Sequence, residues 1–391
     1  MTDLLALGAA IEAVLARCRP LPGERVALDE AAGRVLAEPA LARVDLPPFA
    51  SSAMDGFALQ SADTPGSLPL VARIAAGSPA PRPLRPHEAM SIATGGVVPE
   101  GADAVVPIER VVQKDDKIEV PDPVGRNDNV RPQGGDARAG DVVLDGGVRL
   151  GAAQIGALAA AGVAQVVCAG RPRVSVLATG SELRAPGEPL EPGEIYEANG
   201  AMLAAALRAS GAEVEHLAPV RDDEDAHRDA LARALQADVV VSSGGVSVGP
   251  HDLVRTVASE LGVEEVFWRV AVKPGKPISF GVREATLVFG LPGNPVSTLV
   301  GFELFVRPAL RALEGERDPG PRFRHAPLAE PLRRNDTRDE LVRARWRDGA
   351  LEALRGQESH MIVRAAAADA LVLVPRGVGE LAGDVSYLPL G

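Results

Sequence analysis

Between Asp238 and Asp252 the chain reads DVVVSSGGVSVGPHD. The three valines after Asp238 predict a buried parallel strand. Ser242, Ser243, Gly244 and Gly245 follow at once, then Ser247, Gly249 and the carboxylate of Asp252. A strand that runs into such a turn exposes several backbone N–H groups at its carboxyl end. Groups of that kind bind anions, phosphate above all. Glycine is needed because a Cβ would hold an oxyanion off the backbone. Asp252 would repel the same anion unless a cation or a transferable proton lies between them.

Four other segments have related chemistry, and each is predicted to sit just beyond a strand. They are ATGSEL (178–183), VRDDEDA (220–226), VKPGKP (272–277) and GLPGNP (290–295). They add the carboxylates Glu182 and Asp222, the cations Lys273 and Lys276, and many backbone donors. Pro292 and Pro295, with Gly293 and Asn294 between them, stiffen the last loop because proline fixes φ. Ligands of open α/β sheets bind outside the carboxyl ends of the strands. Carboxylates, lysines and glycine turns on one rim suit a phosphorylated small molecule with a divalent metal. Taken singly, each residue has a plainer reading. Asp222 or Asp223 would cap the following helix, Glu182 would be a turn residue, and the lysines would be solvated charges.

The elements that must position these loops alternate. Strands are predicted at 174–178, 213–218, 239–242, 265–272 and 286–289, and helices at 201–210, 223–236, 253–261 and 295–313. That order predicts a parallel, doubly wound α/β domain. Before it, residues 47–147 are punctuated by Pro and Gly and carry short strand-like runs such as 104–108 and 117–120, which predicts a β-rich lobe. Leu4, Leu7, Ile11, Val14 and Leu15 mark an amphipathic N-terminal helix rather than a signal peptide. After the charged, Gly/Pro-rich stretch 314–321, short alternating runs predict a small all-β domain. The organisation expected is a linking lobe (22–44 and 145–172), a β-rich lobe (45–144), the α/β domain (1–21 and 173–316) and a C-terminal β domain (317–391).

With 391 residues the chain is ample for several cores. Its net charge of −12 and 3% aromatic content argue against nucleic-acid binding, which uses basic surfaces and stacking platforms. Cys18 and Cys168 form no CxxC pair or Cys/His cluster, so a reduced cytoplasmic setting without zinc or disulfides is expected. Residues 151–170 are almost wholly apolar, yet Gln154, Gln165 and the break at Gly162 predict a short helix and a strand rather than a membrane span.

Three further segments lie in the first half: PPFASSAMDGFAL (47–59), SIATGGVVPEGADAVVPIE (91–109) and NVRPQGGDARAGD (129–141). Together with SSGGVSVG, KPGKP and LPGNP, in this order, they resemble the molybdopterin molybdenumtransferases. This is the MoeA family, whose eukaryotic relatives include the C-terminal domain of gephyrin. The resemblance spans nearly the whole chain. It implies insertion of molybdate into the dithiolene of adenylylated molybdopterin, with release of AMP and formation of molybdenum cofactor, assisted by Mg²⁺. It also implies an elongated homodimer whose active site lies between the α/β domain of one subunit and the β-rich lobe of the other. A molybdopterin adenylyltransferase is the implied supplier of substrate.

Carried over motif by motif, the resemblance makes Asp55, Thr94, Glu182, Asp222, Asp252, Lys273 and Lys276 catalytic. Asp222 and Asp252 are nearest the cation. Arg131, Asp136, Ser243, Gly244, Gly245, Ser247, Arg269, Pro292, Gly293, Asn294 and Pro295 bind substrate. Ala50 and Ser51 stand where relatives often carry Asp and Asn, Phe57 where Tyr is frequent, Pro250 where an acid is common, and Val363 and Arg364 where serines are common. Two alternatives share the α/β fold, a molybdopterin adenylyltransferase and a non-catalytic gephyrin-like scaffold. An adenylyltransferase lacks the 47–141 lobe and the C-terminal domain, and the retained acids and lysines argue against a scaffold.

Overall fold

The valine run at 239–241 shows how the central sheet is built. Val239 and Val241 enter one core with Val174, Val176 and Phe289, against helices α1 (Leu7–Leu15), α3 (Asn199–Ala209) and α7 (Arg307–Leu313). Val240 enters a second core with Leu177 and Val288, against α4 (Glu224–Ala234) and α5 (Leu253–Glu260). Side chains alternate across a strand, so a strand covered on both faces must be apolar at every position. Burying each valine contributes on the order of 1.5–3 kcal/mol. The computed structural model describes residues 4–221, 223–245 and 253–390.

The sheet runs in the order Glu213–His216, Arg173–Ala178, Val239–Ser243, Thr286–Leu291, Ser279–Arg283, Glu264–Trp268. The first four strands are parallel. Ser279–Arg283 is antiparallel to both of its neighbours, so the sheet is mixed where the sequence predicts a wholly parallel one. The unexpected strand forms a hairpin with Thr286–Leu291, closed by Glu284 at φ 54°.

Two other expected elements are divided. The strand expected over 265–272 ends at Trp268, because Arg269 takes φ 73° and turns the chain away. Val272–Lys273 then joins the sheet of the C-terminal domain, parallel to Asp339–Glu340. The helix expected over 295–313 is α6 (Pro295–Gly301), a π-helical segment Phe302–Val306, and α7. Pro308 has no N–H to give to the carbonyl four residues earlier, and a wider turn absorbs the mismatch.

The linking lobe pairs Gly23–Ala27 with Gln165–Ala169 and packs them on α2 (Ala152–Ala160) around Val26, Leu36, Leu150 and Leu158. Gly162 at φ 76° follows the end of α2 and lets the chain reverse into the strand. Among the described residues no helix is long and apolar enough to cross a membrane. The β-rich lobe holds a six-stranded sheet that buries Phe57, Leu59, Val106 and Ile118. Phe57 is only 2% exposed, which accounts for the missing tyrosine hydroxyl at that position. The C-terminal domain is a sheet of Asp339–Arg347, Ala370–Val374, Asp384–Pro389 and Arg324–Pro327, with Ala350–Ala353 beside the first.

Candidate active site

The carboxyl ends of the central strands are tied together by backbone hydrogen bonds. The N–H of Thr179 donates to the carbonyl of Ser243 at 3.0 Å, and that of Gly244 to the carbonyl of Leu291 at 3.0 Å. The N–H of Gly180 reaches the carbonyl of Val220 at 3.0 Å. Gly244 and Gly245 take φ 94° and 65°. A Cβ on Gly244 would stand 2.7 Å from the carbonyl oxygen of Thr179, and one on Gly245 2.6 Å from Val254 Cγ2. Only glycine fits at either place. A Cβ on Gly293, in contrast, would meet nothing closer than the Cα of Gly244 at 3.8 Å. The glycine turns of the two loops therefore lie against each other.

A cavity of about 100 Å³ lies beside these turns, lined among others by Thr179, Glu182, Asn199, Ser243, Gly293 and Pro295. Glu182 folds back over Gly180, whose absent Cβ would lie 2.5 Å from the carboxylate. Asn199, at the start of α3, donates from Nδ2 to Ser243 Oγ at 2.8 Å and to the carbonyl of Gly293 at 2.7 Å. It thus bridges two of the predicted loops. Its Oδ1 is buried and has no hydrogen-bond partner among the described residues. Glu197, 4% exposed, caps the same helix by accepting the N–H of Gly200 at 2.6 Å. The Pro292 carbonyl accepts from Thr298 Oγ1 at 2.6 Å, which fixes the 290–295 loop against α6. Asn199, Thr179 and Thr298 escaped the sequence reading. An asparagine before a helix reads as a cap, and nothing local reveals its long-range bonds.

The cationic arm of the rim is held by the C-terminal domain. Lys273 Nζ lies 2.9 Å from Glu340 Oε1, with the lysine side chain 44% exposed and the glutamate 14%. Lys276 is exposed, while its carbonyl accepts the N–H of Val270 at 3.0 Å. Nearby, the N–H of Val296 donates to the carbonyl of Ser359 at 3.0 Å. That C-terminal loop is anchored by Arg343, fully buried, which donates to the carbonyls of Gly356 at 2.7 Å and Met361 at 2.9 Å. Val363, 85% exposed, and Arg364 lie on the short helix after the loop. Arg269 is placed differently from the lysines. Its guanidinium lies over the Trp268 ring at 3.8 Å.

The β-rich lobe assembles its own group. Asp55 Oδ1 accepts the N–H of Thr94 at 2.8 Å, and both residues are exposed. Arg131 sits on the strand Val130–Arg131 paired with Ser51–Ser52, next to this turn. Asp136 is exposed, and its N–H bonds to the carbonyl of Leu46 at 2.9 Å. The small cavity at the rim is lined by α/β residues alone. Asp222, Ser247 and Asp252, like Pro250, lie outside the described residues. Asp223 is the cap of α4, its carboxylate accepting the N–H of Ala226 at 2.9 Å. Among the described residues no three His, Cys, Asp or Glu side chains gather to hold a metal.

A larger cavity of about 780 Å³ lies beside α5 and the antiparallel strand, lined by apolar residues such as Val254, Phe280 and Val288. Its Arg255 is already paired with Glu265 at 2.7 Å. It lies along α5 and the edge of the sheet, and volume alone does not make it the reactive site.

Three stretches of the chain match regions of one known family. Residues 5–162 match the MoeA N-terminal region (domain I and II), 175–312 a probable molybdopterin binding domain, and 325–385 the MoeA C-terminal region (domain IV). Molybdopterin molybdenumtransferase 2 of Mycobacterium tuberculosis is 38% identical over 382 residues, covering 93% of each chain. The chain belongs to the MoeA family. The molybdopterin molybdenumtransferase of Haemophilus influenzae is 39% identical over 305 residues, 76% of this chain and 74% of that one. A molybdopterin biosynthesis MoeA protein from Pyrococcus horikoshii superposes with a TM-score of 0.87 at 28% identity, over 99% of this chain and all of that one. In this MoeA-family chain Glu182, Ser243, Gly293 and Pro295 line one small cavity, and Asp55 and Thr94 are joined on the β-rich lobe.

Proposed function

We propose that this protein inserts molybdate into the dithiolene of adenylylated molybdopterin, releasing AMP and forming molybdenum cofactor. The observation that supports the reading is the small cavity at the carboxyl end of the central sheet, where Glu182, Asn199, Ser243 and Gly293 meet. It stands in a chain that matches all three MoeA regions. Backbone N–H groups and lysines suit the anionic groups of both substrates, the adenylyl phosphates and the molybdate dianion. Glu182, on the cavity wall, supplies an acceptor for the N–H groups of a pterin. Attack of water at the α-phosphorus forms a new P–O bond as the anhydride P–O bond breaks, so AMP is freed with the pterin phosphate as the leaving group, while Lys273 and Lys276 stabilise the charge that develops on the phosphate oxygens.

A divalent cation, Mg²⁺ in this reading, would neutralise anhydride charge, with Asp222 and Asp252 as its ligands. Asp55, Thr94, Arg131 and Asp136 belong to the same proposal as the contribution of a second subunit. Their exposure on a lobe of their own supports a site completed by homodimerisation. A cytoplasmic setting and a molybdopterin adenylyltransferase as supplier complete it.

The decisive experiment supplies purified protein with adenylylated molybdopterin, molybdate and Mg²⁺ and measures AMP by chromatography. Stoichiometric AMP and active cofactor are expected. A protein that binds the pterin yet releases no AMP would end the proposal. Mixed dimers of Asp55→Ala and Asp252→Ala subunits test the shared cleft, since one intact site per mixed dimer should restore turnover. Confirmed mixed dimers without activity would remove the intersubunit part.

A further inference from the structure

Where the linking lobe meets the α/β domain, a cavity of about 360 Å³ is lined by seven arginines and a single carboxylate, Glu314. The whole chain carries a net charge of −12, so composition does not account for this concentration. The walls are Gly33 and Arg34 of the lobe, the end of α3 at Ser210 and Gly211, and the last turn of α7. The site is remote in sequence from the rim loops, and it is independent of the chemistry proposed for them.

Part of the charge is compensated. Arg149 pairs with Glu314 and with Glu316, the latter at 2.5 Å, and donates to the carbonyl of Gly33 at 2.5 Å. Arg322 pairs with Glu316 at 2.5 Å. Arg307 makes a two-pronged bridge to Glu303 at 2.7 and 2.8 Å and donates to Ser210 Oγ at 2.9 Å. Arg34 pairs with Glu24. Among the described residues no carboxylate pairs with Arg171, Arg208 or Arg311. Arg171 donates to the carbonyl of Gly211 at 3.3 Å and Arg311 to that of Gly320 at 3.1 Å. Arg208 is exposed at the mouth. The carboxyl ends of α3 and α7 add roughly half a negative charge each. Those ends and the glutamates together still leave the cavity positive. Burial, then the neighbouring charges of Arg322 and Arg307, push the Arg311 guanidinium below its ordinary value.

Guanidinium groups present planar forks of donors that match phosphate geometry, and they cluster where an oxyanion is held by several hydrogen bonds. We propose that this cavity binds a tetrahedral oxyanion of the phosphate class, free or carried by a small metabolite, and clamps the linking lobe to the α/β domain. Its volume is at the small end for metabolite sites, with room for more than a bare ion. An anion there meets three guanidiniums that have no carboxylate partner. It binds the folded junction and not the open one, so it stabilises the chain against unfolding.

The test is calorimetric titration of the full chain with inorganic phosphate, then sulfate, molybdate and AMP as separate arms, alongside thermal melts. Saturable phosphate binding and a raised melting temperature are expected. Arg171→Ala/Arg208→Ala should weaken binding about tenfold or more and abolish the thermal shift. Both side chains are exposed, and circular dichroism checks that the variant folds. Lys276→Ala, at the rim, should leave phosphate affinity unchanged. AMP binding tighter than phosphate, with the same dependence on Arg171 and Arg208, would identify a phosphorylated metabolite as the occupant. Wild-type protein without saturable binding at millimolar phosphate overturns the proposal. Equal affinity in the double variant does so too, as does a loss of binding that follows Lys276→Ala.

Discussion

Lys273 of the α/β domain and Glu340 of the C-terminal sheet meet at 2.9 Å, next to each other in a short parallel ladder of Val272–Lys273 with Asp339–Glu340. A lysine meant to meet an anionic substrate is thereby held from a different domain. The C-terminal domain, which supplies none of the residues expected at the rim, takes part through this contact and through the Ser359 carbonyl on α6.

Glu340→Gln should lower the rate of AMP release about tenfold, because the ammonium loses the partner that fixes its position. The stability cost should stay below about 1 kcal/mol, since Lys273 is half exposed and such pairs contribute little to folding. Steady-state kinetics beside urea unfolding separate the two effects, and Glu340→Asp should recover part of the rate. Unchanged kinetics in Glu340→Gln would remove the positioning role.

Gly244→Ala should destabilise the protein by about 1–3 kcal/mol and abolish turnover. The new methyl meets the Thr179 carbonyl, and φ 94° strains any L side chain. Gly8→Ala makes the opposite case. Gly8 lies within α1 with open space where a Cβ would go, so alanine there should stabilise by about 0.5–1 kcal/mol. Denaturant midpoints of the two variants should move in opposite directions.

Asn199→Ala removes the bridge between Ser243 and Gly293 and should cost about 1–3 kcal/mol, two hydrogen bonds' worth. Asn199→Asp keeps the size but loses both donors, and brings a carboxylate to the Gly293 carbonyl. Its AMP release should be no better than that of the alanine variant. Full activity in Asn199→Asp would show that the bridge is not needed to shape the cavity.

Burial pushes the Cys18 thiol up from 9.0 to about 12, and Cys168 is raised by burial as well. At pH 8 the thiolate fraction of native Cys18 is then about one in 10⁴, so a chromogenic disulfide reagent should find no reactive thiol until denaturant is added. The same shift has a stability consequence. Between pH 9.0 and about 12 the unfolded chain releases a proton that the folded chain keeps. Stability therefore falls as pH rises through that window. Cys18→Ala should flatten this alkaline limb, as followed by thermal melts in an alkaline pH series.

Much of the site was legible because its loops carry local constraints. Gly244, Gly245, Pro292 and Pro295 are chosen by φ and by close backbone approach, and these demands act within a few residues. The Asp223 cap is of the same kind. The Ser279–Arg283 strand was not legible, because its hairpin turns through Glu284 and Ala285 without the Asn or Gly that usually marks such a turn. The split of 265–272 escaped because a positive φ at Arg269 leaves no trace in residue type.

The chain by itself determined the glycine and proline turns at the strand ends, the doubly covered sheet and the family to which it belongs. Backbone conformation and burial act on each residue separately and so select its type. Only the tertiary structure decided that Asn199 would join two loops, that Glu340 would hold Lys273, and that arginines from the linking lobe and the α/β domain would surround one cavity. Such pairings depend on how elements distant in sequence pack together, and neither member of a pair carries a local signal for the other.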